Sequence, residues 1–165
     1  MATIDQFKAQ LIGGGPRANR FRVFVPRTGN KIEFLCKATS IPAATITPVE
    51  VPFRGQVLKL AGDRTFEDWS ITVINDNEFS ARTALEAWQE DIASLTTTDA
   101  ATNTDYLLSR AFVEQLHKDD SVLARYEFFN IFPSVVSSIA LSSDEASALE
   151  TFEVTFSYSH WDRVK

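Results

Sequence analysis

Cysteine occurs once and histidine twice in this chain of 165 residues. A lone Cys36 excludes an internal disulfide and any cysteine-rich zinc site. His117 and His160 lie too far apart in sequence for a histidine-rich metal cluster. Six glycines and six prolines exclude collagen-like and low-complexity chains. No run approaches the 18 apolar residues of a membrane span, and Met1–Arg20 lacks the apolar centre of a signal peptide. The expectation is a chain made and kept soluble in a cytoplasm. Basic residues number 16 against 22 acidic ones, a net charge of −6, whereas a protein that grips nucleic-acid phosphates leans the other way. There is no Gly-x-Ser-x-Gly elbow, no His-Glu-x-x-His and no dinucleotide fingerprint, and Gly13-Gly14-Gly15-Pro16 is followed by no Gly-Lys-Ser/Thr. The expectation is therefore no catalysis, no cofactor and no metal.

What the chain does have is phenylalanine, 13 residues of it, in a composition 44% hydrophobic and 23% charged. That profile suits half-buried strands in one globular domain. Residues 1–19 show weak periodicity and end in the glycine hinge, so they are expected to form a flexible N-terminal arm, with a single domain over 20–165. From Arg20 the period is two. Phe21, Val23 and Val25, a turn at Thr28-Gly29-Asn30, then Ile32, Phe34 and Cys36 predict a hairpin. Ala61–Thr65 reads as a turn opening a strand 66–75 with Trp69, Ile71 and Val73 on one face. Asn75-Asp76-Asn77 supplies candidate caps, Asn75 and Glu78 having capping-box spacing, and a helix is expected over about 78–93 with Ala81, Leu85, Trp88 and Ile92 inward. A polar loop over 94–105 leads to a second hairpin, about 109–117 and 122–130, closed by Phe132-Pro133. A short strand 134–141, a loop 142–148 and a last strand follow; in the last, Phe152, Val154, Phe156 and Tyr158 share a face. His160 beside Trp161 reads either as a stacked pair or as a solvated tail. The fold class is mainly β, a sandwich or barrel-like subunit, with one central helix.

Two features point outward. Pro48 and Pro52 fall among Val49, Val51, Phe53, Val57 and Leu58, around a turn at Arg54-Gly55-Gln56. Proline removes ladder donors, so the segment from about Thr47 to Lys59 reads as a projecting, self-associating hairpin or as an edge meander. Charge is also uneven. Residues 1–40 carry seven basic and two acidic groups, a net of +5, and the remainder carries −11. Arg17, Arg20 and Arg22 in the basic end are candidates to meet the acidic body of a neighbouring copy; chance clustering is the alternative.

The residues Phe34-Leu35-Cys36-Lys37-Ala38-Thr39-Ser40-Ile41-Pro42-Ala43 and Ala61–Asp76, with Arg82, Trp88, Phe132-Pro133, Glu150–Phe156 and Trp161, resemble the tail tube proteins of T4-like contractile-tailed bacteriophages. The resemblance spans most of residues 20–161. It implies hexameric rings whose inner sheet closes into one continuous barrel and which stack into a hollow tube. The implied partners are further copies of the chain, the sheath protein, the baseplate tube initiator, the tape-measure protein and the tail terminator. Genome DNA would pass through the lumen unbound, in a virion tail assembled in the host cytoplasm. Two alternatives stand beside it: the tube of a contractile injection system or bacteriocin delivering a protein toxin, and a monomeric β-barrel binding module.

Overall fold

The computed structural model describes residues 3–94 and 109–165, apart from the side chain of Ile12. Its strands fall into three sheets. Sheet A has the order β1-β6-β7-β10, from β1 (Phe21–Phe24), β6 (Arg110–Leu116), β7 (Val122–Phe129) and β10 (His160–Arg163). Sheet B has the order β2-β5-β9-β8, from β2 (Cys36–Thr39), β5 (Trp69–Ile74), β9 (Thr151–Ser157) and β8 (Phe132–Val136). All neighbours are antiparallel. The third is a two-stranded ribbon of β3 (Ala44–Phe53) and β4 (Gln56–Phe66). No sheet among the described residues closes on itself.

The core lies between sheets A and B, where period-two alternation places Trp69, Ile71 and Val73 opposite Phe156, Val154 and Phe152. Val23, Val113 and Phe128 enter it from sheet A. Trp69 stacks on Phe128 across the sheets with ring centroids 4.3 Å apart. Helix α3 (Ser80–Ile92) buries Ala81, Leu85 and Trp88, the expected stripe, and packs beside β8. Its start is held by Asp76, whose carboxylate accepts from the Ser80 amide at 2.9 Å and from the Ser80 hydroxyl. Of the three candidate caps it is Asp76 that serves; the Asn75–Glu78 capping box does not form, and the Asn75 side-chain amide donates to Glu150 at 3.0 Å.

The first expected hairpin does not form. β1 pairs with β6, and β2 pairs with β5. Between them Lys31–Leu35 coil into the short helix α2, which buries Ile32 completely and leaves Phe34 exposed. Residues 21–36 thus cross from one sheet to the other, because each strand finds its apolar partners elsewhere in the chain. Ala61–Thr65 is not a turn but the continuation of β4, and the break falls at Glu67-Asp68. Phe132 and Pro133 begin β8 rather than closing the preceding hairpin. The tail is ordered as β10, with His160 stacked on Phe129 at 4.6 Å rather than on Trp161. The expected polar loop lies, beyond Ser94, outside the described residues.

The first segment holds a short helix α1 (Ile4–Gln10) with a capping box, the Gln6 amide donating to the Thr3 hydroxyl and the Thr3 amide to the Gln6 side chain. None of its residues is buried. Its connection to β1 is tied down by Gln115, whose Nε2 donates to the carbonyls of Arg17 and Arg20, both at 2.8 Å.

Candidate assembly surfaces

Arg54 and Gly55 both have positive φ, 45° and 82°, the two-residue reversal whose twist suits a hairpin. With Phe53 opposite Gln56, the register runs back to Ala44 opposite Phe66, interrupted by one bulge between Ile46 and Pro48. Gly62 is required at that bulge, since a Cβ there would lie 2.3 Å from the Thr47 carbonyl oxygen. The ribbon therefore pairs well within itself despite its prolines, and it is longer than the expected Thr47–Lys59. No residue of it is buried; Ile46, Val49, Val51, Phe53, Val57, Leu58 and Leu60 are all exposed. A two-stranded ribbon in water is marginal on its own, and so large an apolar display marks a contact surface.

An aromatic cluster clamps its base. Phe66 meets Tyr158 and Trp161, each at 6.2 Å, and Trp161 donates its indole N–H to the Ala43 carbonyl at 3.1 Å. The Arg64 guanidinium lies over both Phe66 and Trp161, at 5.3 and 4.9 Å. Burial, with Asp68 and Glu67 nearby, pushes the Tyr158 hydroxyl up to about 12. The resemblance covers Ala43, Arg64, Phe66 and Trp161, but nothing local marks these residues as a unit, because they come from segments about 100 positions apart.

The basic residues divide. Arg20 pairs with Asp120 at 3.0 Å, and Arg22 with Glu33 at 3.3 Å and the deeply buried Glu114 at 3.6 Å. Glu114 also receives Arg125 at 3.3 Å. Two of the three candidate arginines are thus engaged inside the subunit, and only Arg17 has no ion pair among the described residues. Burial pushes the Cys36 thiol up to about 11, so it is a poor nucleophile near neutral pH. Among the described residues no three His, Cys, Asp or Glu side chains gather as metal ligands.

A two-sheet sandwich carrying a clamped, apolar, largely exposed ribbon defines a protein shaped for contact with other proteins. The chain belongs to the phage tail tube protein family, whose model matches residues 7–164. It is 32% identical over 159 residues to the tail tube protein gp19 of Enterobacteria phage T4, covering 96% of this chain and 98% of that one. It is 25% identical to the tail tube protein of Serratia phage KSP90, covering 92% and 90%. Its fold is similar to a chain of the tube-terminating cap of the anti-feeding prophage, with a TM-score of 0.68, 12% identity and 90% of each chain covered. A chain of the sheath–tube complex of an extracellular contractile injection system matches with a TM-score of 0.63 at 15% identity, covering 94% and 95%.

Proposed function

We propose that this chain is the repeating subunit of the inner tube of a contractile phage tail, forming hexameric rings that stack into a hollow conduit for genome DNA. The ribbon carries this reading: its apolar surface has no cover among the described residues and gains one in an assembly. Sheet geometry supports ring formation. Each of sheets A and B has four antiparallel strands, so its two outer strands run in opposite directions. Copies related by rotation about an axis along the strands then meet edge to edge in antiparallel pairing, and ring closure removes the open edges. A net charge of −6 suits a wall along which a polyanion slides without being held. The domain 20–165 would form the ring wall and the arm 1–19 would settle against a neighbour. Sheath, baseplate initiator, tape-measure protein and tail terminator are the further partners this role requires, and host cytoplasm is where the virion tail would assemble.

The sandwich itself is shared with contractile injection systems, so fold does not separate DNA conduits from protein-delivering tubes; the relatives at 25–32% identity are phage tail tubes and favour the first. Electron microscopy and mass measurement of the purified chain test the assembly. Rings of six times 18.4 kDa, stacked into tubes alone or on a baseplate, are expected. A strictly monomeric chain at high concentration, even with baseplate components present, overturns the reading.

A further inference from the structure

Sheet A ends on one side at β1 and on the other at β10, and its two edges differ. On β10 three of the four residues are exposed, whereas on β1 none is. Yet Phe21-Arg22-Val23-Phe24 is an apolar, β-prone stretch of the kind that recruits foreign strands when its edge is open. We propose that α2 is a strap laid along the free edge of β1, held there by an ionic chain through the buried Glu114, and that it keeps this edge from pairing with a strand of a second copy.

Two side chains at successive positions of α2 fix where it lies. Ile32 is fully buried, in the same core cluster as Val23 and Val25. Glu33 instead pairs with Arg22 at 3.3 Å. Val23 and its register partner Val113 face the core, so Arg22 and its partner Glu114 stand on the opposite face of sheet A. α2 thus reaches both faces of β1 at once. It can do so only past the strand's free side, since β6 occupies the other. The connection that delivers it is pinned as well. The buried Thr28 hydroxyl donates to the Val25 carbonyl at 2.8 Å, Arg27 pairs with Asp91 of α3 at 2.8 Å, and Lys31 pairs with Glu78 at 3.4 Å.

Glu114 is the holding group. It is buried although it stands on that outer face, and two arginines meet it. Arg125 reaches its Oε1 at 3.3 Å, and Arg22 lies 3.6 Å from its Oε2, which has no hydrogen bond among the described residues. Arg125 in turn pairs with Glu127 at 3.2 Å and lies 3.9 Å over the Phe112 ring, itself stacked on Phe24 at 5.1 Å. Charges therefore alternate from α2 to β7 in the order Glu33, Arg22, Glu114, Arg125, Glu127. A carboxylate out of water holds its cations firmly, because releasing one leaves a buried charge undercompensated. Arg22 is thereby fixed at the edge, and Glu33 docks on it. With β1 closed, edge pairing between copies falls to sheet B; that consequence alone rests on the tube reading above.

Hydrogen exchange of the dilute subunit tests the strap. Glu33→Lys sets like charges against each other at a partly exposed position. The β1 amides that point away from β6 should then exchange at least about tenfold faster than in wild type. The variant should also deposit thioflavin-positive aggregates where wild type deposits none. Glu33→Gln, which can still accept from Arg22, should change exchange by less than about threefold. Glu33→Lys with wild-type exchange and no aggregates overturns the proposal. If that variant fails to fold, exchange of the wild type in mild denaturant decides. α2 and the outward β1 amides should open together, and outward β1 amides that exchange freely while α2 stays closed overturn it. In assembled tubes the β1 amides should gain no protection over the dilute subunit; a gain of about tenfold would mean that another strand has added there, and would overturn it too. A wild type that forms no tubes removes the tube reading and the assignment to sheet B, and leaves the strap to be decided by the dilute-subunit measurements.

Discussion

Substituting Phe53 by serine separates the role of the ribbon in the subunit from its role between subunits. Within the subunit Phe53 is 67% exposed, so only about a third of its transfer free energy is realised there. Full burial of a phenylalanine is worth about 1.5–3 kcal/mol, which leaves about 0.5–1 kcal/mol at stake in folding. For a domain of this size that is a fall in Tm of no more than about 4 °C. The remaining two-thirds, about 1–2 kcal/mol, is available only in the assembled contact. With the proposed six copies per ring it would come to about 6–12 kcal/mol for each ring added, and each 1.4 kcal/mol is a factor of ten. Loss of even the lower figure weakens ring stacking by roughly 10⁴-fold. The assay pairs thermal melting of the dilute subunit with sedimentation and electron microscopy at fixed concentration. Folded subunits without tubes are expected. Tubes at the wild-type concentration would refute the contact, and a fall in Tm beyond about 8 °C would show the ribbon to be part of the subunit's own core.

Three further outcomes follow from the geometry. Arg22→Glu places a third carboxylate beside Glu33 and buried Glu114 and should cost the subunit about 1–3 kcal/mol in a denaturant titration, whereas Arg17→Glu should leave folding unchanged and alter only the salt dependence of assembly. Gly62→Ala sets a methyl against the Thr47 carbonyl and should distort the ribbon, so tubes are lost by electron microscopy while the melting of the sandwich, to which the ribbon contributes no buried residue, is retained. Tyr158 should ionise near pH 12 in an ultraviolet titration of the folded subunit. Its folded-state value is raised, so the stability it contributes is complete below about pH 10 and is lost as pH climbs through 10 to 12; ionisation at the ordinary tyrosine value would show the hydroxyl to be solvated.

Period and facing were legible in the sequence because they are local. Alternation in Trp69–Val73 and Phe152–Phe156, the helical stripe Ala81/Leu85/Trp88 and the reversal at Arg54-Gly55 each follow from residues within a few positions of one another, where backbone geometry alone sets the repeat. The same local signals misled where a partner far along the chain outbid them. Two alternating runs flanking a Thr-Gly-Asn turn look like a hairpin, yet β1 gains more by laying Val23 against Val113, and β2 by lying beside β5. Asn75, Asp76 and Asn77 are equivalent candidates to hold the start of α3 in the sequence; only the structure sets Asp76 against Ser80 and turns the Asn75 amide toward Glu150, beside the start of β9. Arg20 and Arg22 look free in a basic stretch until β6, the turn after it and α2 bring Asp120, Glu114 and Glu33 to them. The candidate contact surface divides in the same way. Its apolar ribbon could be read from prolines and valines in one short segment, whereas the clamp at its base exists only because the fold brings Tyr158, just past β9 of sheet B, and Trp161, on β10 of sheet A, to Phe66. Strand partners are chosen by which pairing buries the most apolar surface, and that quantity belongs to the whole chain.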